Sequence, residues 1–144
     1  MTAMRRAQSM IEIIVAVAAM VVFITATAGI TMMTEKAVTE MTMEMQGIAV
    51  AEEGIQASIS ISDRAWSALV LGTHGLAISG SAPIEWVYSG TSDTANGFTR
   101  VITISTVPNE PDIVKVDVTV TWHPEPNRTS TAQEQVLLTD WAFL

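Results

Sequence analysis

His74 and His123 are the only histidines in a chain that has no cysteine. Each stands beside a turn residue, Gly75 or Pro124. Metal coordination and nucleophile activation both need several converging groups, and neither histidine has a second His or Cys at ligand spacing. No G-x-S-x-G elbow is present either, so the sequence is read as that of a non-enzymatic protein with no cofactor. The loop 89–97 (SGTSDTANG) offers one carboxylate, Asp93, among Ser, Thr and Asn oxygens. A calcium site usually gathers several carboxylates and carbonyls, so a plain Gly-rich loop is preferred over a metal site at Asp93. Asn127-Arg128-Thr129 fits a glycosylation acceptor triplet. The residue that most needs explaining is Glu12, which heads an uncharged, mostly apolar run over residues 13–34 and follows the basic pair Arg5-Arg6. An acid in hydrocarbon costs roughly 3 kcal/mol on insertion scales, so such groups tend to have a partner or a function.

The elements that position these residues divide by composition. All nine methionines lie between Met1 and Met45, whereas Trp66, Trp86, Trp122 and Trp141, all four tryptophans, come later. Methionine suits helices and lipid; Trp and β-branched residues suit a packed sheet. With 144 residues the chain accommodates a membrane segment and one modest domain. Its formal charge of −8, with only seven basic residues, supplies no basic stripe and argues against direct nucleic-acid binding.

The run after Glu12 is long enough to span a bilayer, which takes about twenty residues. It could be a signal peptide, a permanent anchor, or the tail of a filament subunit. A signal-peptide core is about 7 to 15 residues long and ends at a small-residue cleavage site, whereas this run flows into a helical pattern. Arg5-Arg6 on one side and Glu35, Glu40 and Glu44 on the other place the N-terminus in the cytoplasm and the C-terminal part outside. Gly29, with Thr25, Thr27 and Thr31, interrupts the run and is a candidate site of local helix melting; close packing of a small residue between helices is the competing reading.

Further on, Val38, Met41, Met45, Ile48, Glu52, Ile55 and Ile59 recur at steps of three and four. They trace one helix face, expected to dock on a sheet, with Gly47 and Gly54 weakening the helix, which is expected to run to about residue 58. Residues 63–71 read as a short helix or turn with Asp63 as N-cap, ended by Gly72 and Gly75. Strands are expected at 85–88, 98–107, 113–122 and 133–141, the middle two forming a hairpin through VPNEPDI and the last following the turn HPEPNR. The fold class is α+β: a long N-terminal helix whose second half packs on three or four antiparallel strands.

The segment Arg5-Arg6-Ala7-Gln8-Ser9-Met10-Ile11-Glu12, with the apolar run behind it, resembles the prepilin N-terminus of type IV pilins and type II secretion pseudopilins. The resemblance covers about 25 residues, with Ala7 where the family usually has Gly and Gln8 where it usually has Phe. It implies cleavage between Ala7 and Gln8 by a prepilin peptidase, modification by methylation at the new N-terminus Gln8, and filament assembly through Glu12, which becomes the fifth residue. It also implies sister pilin subunits, an inner-membrane assembly platform and the membrane itself as partners. Many bacterial pilins carry proline at the place of Gly29 and lose helicity there. The resulting layout is a leader at 1–7, a membrane and filament-core half-helix at 8–34, an amphipathic half at 35–60 and an extracytoplasmic sheet domain at 61–144. After cleavage the free α-amine, cationic at neutral pH, can pair with Glu12 of a neighbouring copy and neutralise both in an apolar bundle. The alternatives are an uncleaved single-pass anchor carrying an extracytoplasmic binding domain, and a secreted β protein beginning beyond Met33.

Overall fold

The computed structural model describes residues 2–80 and 82–140, with side chains from residue 10 onward except at 111. One helix, α1, runs over Thr2–Arg64. A single 3₁₀ turn at Trp66–Ala68 leads into six strands: β1 (Gly72–Ile78), β2 (Trp86–Ser89), β3 (Asp93–Ala95), β4 (Phe98–Val107), β5 (Glu110–Glu125) and β6 (Arg128–Thr139). Every pairing is antiparallel, in the order β2-β1-β4-β5-β6, with β3 also paired to β4. This is the α+β class expected from sequence. The chain divides into two compact units, Met1–Met41 and Thr42–Leu144.

Within Thr42–Leu144 the core follows from strand alternation. Val114, Val116, Val118, Val120 and Trp122 of β5 are all buried, as are Ile102 and Ile104 of β4. Each such side chain contributes about 1.5–3 kcal/mol when fully withdrawn from water. Short turns fix the register. Ala95 pairs with Phe98 around Asn96-Gly97, whose φ values of 54° and 86° are both positive, the requirement of the two-residue turn that matches strand twist. Val107 pairs with Glu110 around Pro108-Asn109, where proline presets the first loop φ and Asn109 takes φ 66°.

Several expectations are corrected. The helix continues to Arg64, so Asp63 lies in its last turn and caps nothing; Ala65 precedes the 3₁₀ turn and makes no side-chain cap. Gly72 opens strand β1 where the end of a helix was expected, and β1 and β3 join the strands read from sequence, making six. β6 begins at Arg128, ahead of the expected 133.

The largest correction concerns which helix face meets the sheet. Val38, Met41, Met45 and Ile48 are exposed, Glu52 too, and Ile55 and Ile59 are only half-buried. The buried face is instead Gly47, Val50, Ala51, Gly54, Ala57, Ser58 and Ile61, at the same helical spacing. Small residues at Gly47, Ala51, Gly54 and Ser58 let the helix and sheet backbones approach, while Met43, Ile55 and Ile59 pack against the core only at its edge. A Cβ added at Gly47 would lie 2.6 Å from the Trp122 ring, and one at Gly54 would lie 2.8 Å from Val118 Cγ1. Gly47→Ala and Gly54→Ala are therefore each expected to destabilise the domain. Overpacking costs about 1–3 kcal/mol against the roughly 1 kcal/mol that alanine returns in helix propensity. A lower urea midpoint for both variants checks this.

β1 changes partners along its length. Its first residues, Gly72 to His74, pair with β4, and from Gly75 onward it pairs with β2. At the changeover the backbone entering β3 comes so close that a Cβ on Gly75 would sit 2.4 Å from the Ser92 carbonyl carbon. The Leu76 N–H donates to Asp93 Oδ1 at 2.9 Å, so a side chain takes over from the ladder at that point.

Candidate functional site

The first unit carries the N-terminal feature. Helix α1 over Met10–Arg64 contains a stretch long and apolar enough to cross a membrane, and none of that stretch is buried within the chain. Large apolar side chains face outward all round it, including Ile14, Val17, Met20, Phe23 and Ile30. Such a surface is unstable in water and has to be covered by lipid or by protein. Its threonines fit either cover: Thr25, Thr27, Thr31 and Thr34 donate their hydroxyls to carbonyls one turn back at about 3.0 Å, leaving no unsatisfied donor. Gly29 is helical here, and a Cβ added to it would meet nothing within 4 Å. At that position alanine brings the propensity gain alone.

Glu12 is exposed on this apolar surface, and no ion pair among the described residues involves it. Ala7 and Gln8 lie in the helix, and their side chains fall outside the described residues. The arrangement offers a bare apolar rod with one acid near its start. Such a stretch is long and apolar enough to cross a membrane.

The second unit holds a cationic node that sequence reading missed. Arg100 points inward from β4 and is 2% exposed. Its Nε and Nη2 donate to the two Asp93 carboxylate oxygens at 3.2 and 2.7 Å, and its Nη1 donates to the Val50 carbonyl and to Glu53 Oε1 at 3.2 and 3.1 Å. Burial alone would lower the guanidinium pKa; the bonds and charges of Asp93 and Glu53 more than offset it and hold the cation above its ordinary value. The node ties helix residues 50 and 53 to the β3–β4 hairpin. The Asp93 carboxylate is taken up by this arginine and by the Leu76 N–H, and among the described residues there is no group of three His, Cys, Asp or Glu that could hold a metal ion. The signal was present in the β4 alternation, since Phe98, Arg100, Ile102 and Ile104 share one face.

The histidines lie on separate strands. His74 Nε2 is 2.7 Å from the Val70 carbonyl oxygen and its ring lies 5.1 Å from that of Tyr88, while His123 Nδ1 is 3.2 Å from the Thr129 hydroxyl. The Tyr88 hydroxyl is buried and has no hydrogen-bond partner among the described residues. Burial pushes this phenol above its ordinary value, and the nearby Ser58 hydroxyl, which donates to the Gly54 carbonyl at 2.9 Å, offsets that only in part. The unfolded chain therefore ionises first, near pH 10.0, and stability present below that pH is lost as pH rises beyond it. Tyr88→Phe removes an unsatisfied buried hydroxyl, so it is expected to add about 1 kcal/mol at neutral pH and to flatten the alkaline decline. Urea unfolding of both proteins at neutral pH and above pH 10 reads the difference. Tyr88 is the only tyrosine, so phenolate absorbance reports its titration without overlap.

No family model, no curated protein and no solved structure matches this chain.

Proposed function

We propose that this chain is a structural subunit of a type IV pilus or type II secretion pseudopilus, of the low-abundance kind. It is made as a precursor that spans the inner membrane through residues 13–34 with its N-terminus in the cytoplasm and its sheet domain outside. A prepilin peptidase removes residues 1–7, and Gln8 becomes the modified N-terminus. Sister subunits then pack their apolar helices together on a membrane platform. The observation that carries this reading is the fully exposed apolar helix with a single acid, Glu12, five residues from the cleavage point that the resemblance indicates. In a bilayer the acid, at the head of the run, stays at the headgroups; once the apolar helices are bundled it needs a partner, which a neighbouring copy with a free α-amine supplies.

Intact mass and N-terminal sequencing of the protein recovered from membranes test the reading. A chain starting at Gln8 supports it. Retention of Arg5-Arg6 turns the protein into an uncleaved anchor, and a start beyond Met33 turns it into a secreted domain.

A further inference from the structure

Strand β6 is the long open edge of the sheet. β5 lies on one side of it, and among the described residues no strand lies on the other. It runs over the 12 residues Arg128–Thr139, about 40 Å of extended chain. Gln133, Glu134 and Gln135 are exposed in succession, so both faces of the strand are open at its middle. The strand is nonetheless fixed in place, since Ala132 and Val136 pack against the core and Leu138 is buried. In an antiparallel pair every second residue turns its N–H and C=O away from the neighbour, so alternate β6 residues aim both groups at the open edge.

Sheets protect such edges by keeping them short, or with lysine, proline or a bulge. The opposite edge is short, since β2 has only the 4 residues Trp86–Ser89. β6 lacks these guards. Between Ser130 and Thr139 there is no lysine, no proline and no break in the register with β5, and Glu134 is the one ionisable residue. Glu134 pairs with Val118, whose side chain meets the helix at Gly54, so its carboxylate leaves the strand on the helix side. A segment laid along the edge satisfies the open backbone groups, and its side chains meet those of β6 across the pair. Charge selects the segment. A second copy of this chain brings the same Glu134 and a net charge of −8, whereas a basic residue opposite Glu134 is attracted.

We infer that β6 is a docking edge for an extended, basic segment of another protein. The segment adds antiparallel, like every pairing within the sheet, with a lysine or arginine opposite Glu134 and apolar side chains opposite Ala132 and Val136. Thr131, Gln133 and Gln135 meet its polar residues on the other face. The apolar helix plays no part in this contact, which stands apart from the assembly reading above.

The probe is the peptide Val-Thr-Val-Thr-Lys-Thr-Val-Thr-Val, capped at both ends, and its counterpart carries Glu in place of Lys. Both are titrated into the full-length protein in detergent micelles. The Lys peptide is expected to bind about fivefold more tightly than the Glu peptide. It is also expected to slow hydrogen exchange at alternate β6 amides, those turned away from β5. Glu134→Lys, at an exposed position, is expected to reverse the preference and to leave the unfolding midpoint unchanged. Absence of binding by the Lys peptide, equal binding of both peptides, binding without alternate protection in β6, or a preference that Glu134→Lys leaves in place each overturn the docking edge. Slow exchange at those amides in the protein alone, lost on dilution, shows that a second copy occupies the edge and overturns it too. None of these results depends on whether the mature chain begins at Gln8, so the assembly reading stands or falls separately.

Discussion

Arg100→Ala is expected to remove a large share of the stability of the Thr42–Leu144 unit, about 3–5 kcal/mol of the 5–15 typical of small domains. Arg100 is 2% exposed and is engaged by the Asp93 carboxylate, by Glu53 and by the Val50 carbonyl. Deleting it leaves Asp93, whose side chain is only 16% exposed, without its cation in a site that water barely reaches. Asp93→Ala should cost nearly as much, because it strips the buried guanidinium of two bonds and leaves the Leu76 N–H unpaired at the point where β1 changes partners. Glu53→Gln is the control. Its side chain is 48% exposed, so its loss should fall within the ~0–1 kcal/mol of a surface ion pair. Chemical denaturation of the three variants gives the ranking, and a Glu53→Gln loss as large as that of Arg100→Ala would contradict it.

The strands and the helix differ in how much of them the sequence announces. In β5, Val114 through Trp122 alternate with Lys115, Asp117, Thr119 and Thr121, and the alternation maps directly onto burial. Both faces of a strand are written in its residue types. The helix is harder because much of its buried face is made of Gly47, Ala51, Gly54 and Ser58, residues that score as neutral or as helix-weakening, while Val38, Met41, Met45 and Ile48 are exposed. Ranking faces by apolarity therefore selects the wrong one whenever close approach, not apolar bulk, decides the packing. β3 was missed for a different reason. Three residues give too short an alternation, although Asn96-Gly97 is itself a hairpin signal of the type that requires two positive φ values. The N-terminal features were legible as composition, since an acid at the head of an uncharged run stands out without any tertiary context.

Glu12→Gln is expected to leave membrane insertion and leader removal intact and to lower incorporation into fibres by about tenfold or more, the effect of losing roughly 1.4 kcal/mol at each contact. In a bilayer Glu12 lies near the headgroups and keeps its water, so glutamine changes little there. In the proposed bundle of apolar helices the carboxylate would meet the α-amine freed at Gln8 of a neighbour, and such a pair would survive desolvation only while both charges are present. Glutamine keeps the shape and a hydrogen bond but abandons the amine as an uncompensated cation. Glu12→Asp preserves the charge one methylene short and should fall between the two. The measurement is the fraction of mature chain recovered in sheared fibres relative to membranes, with the N-terminal mass read on the same samples. Equal recovery of parent and glutamine variants, both starting at Gln8, would show that the acid takes no part in assembly; a glutamine variant still carrying Arg5-Arg6 would place its role earlier, in processing.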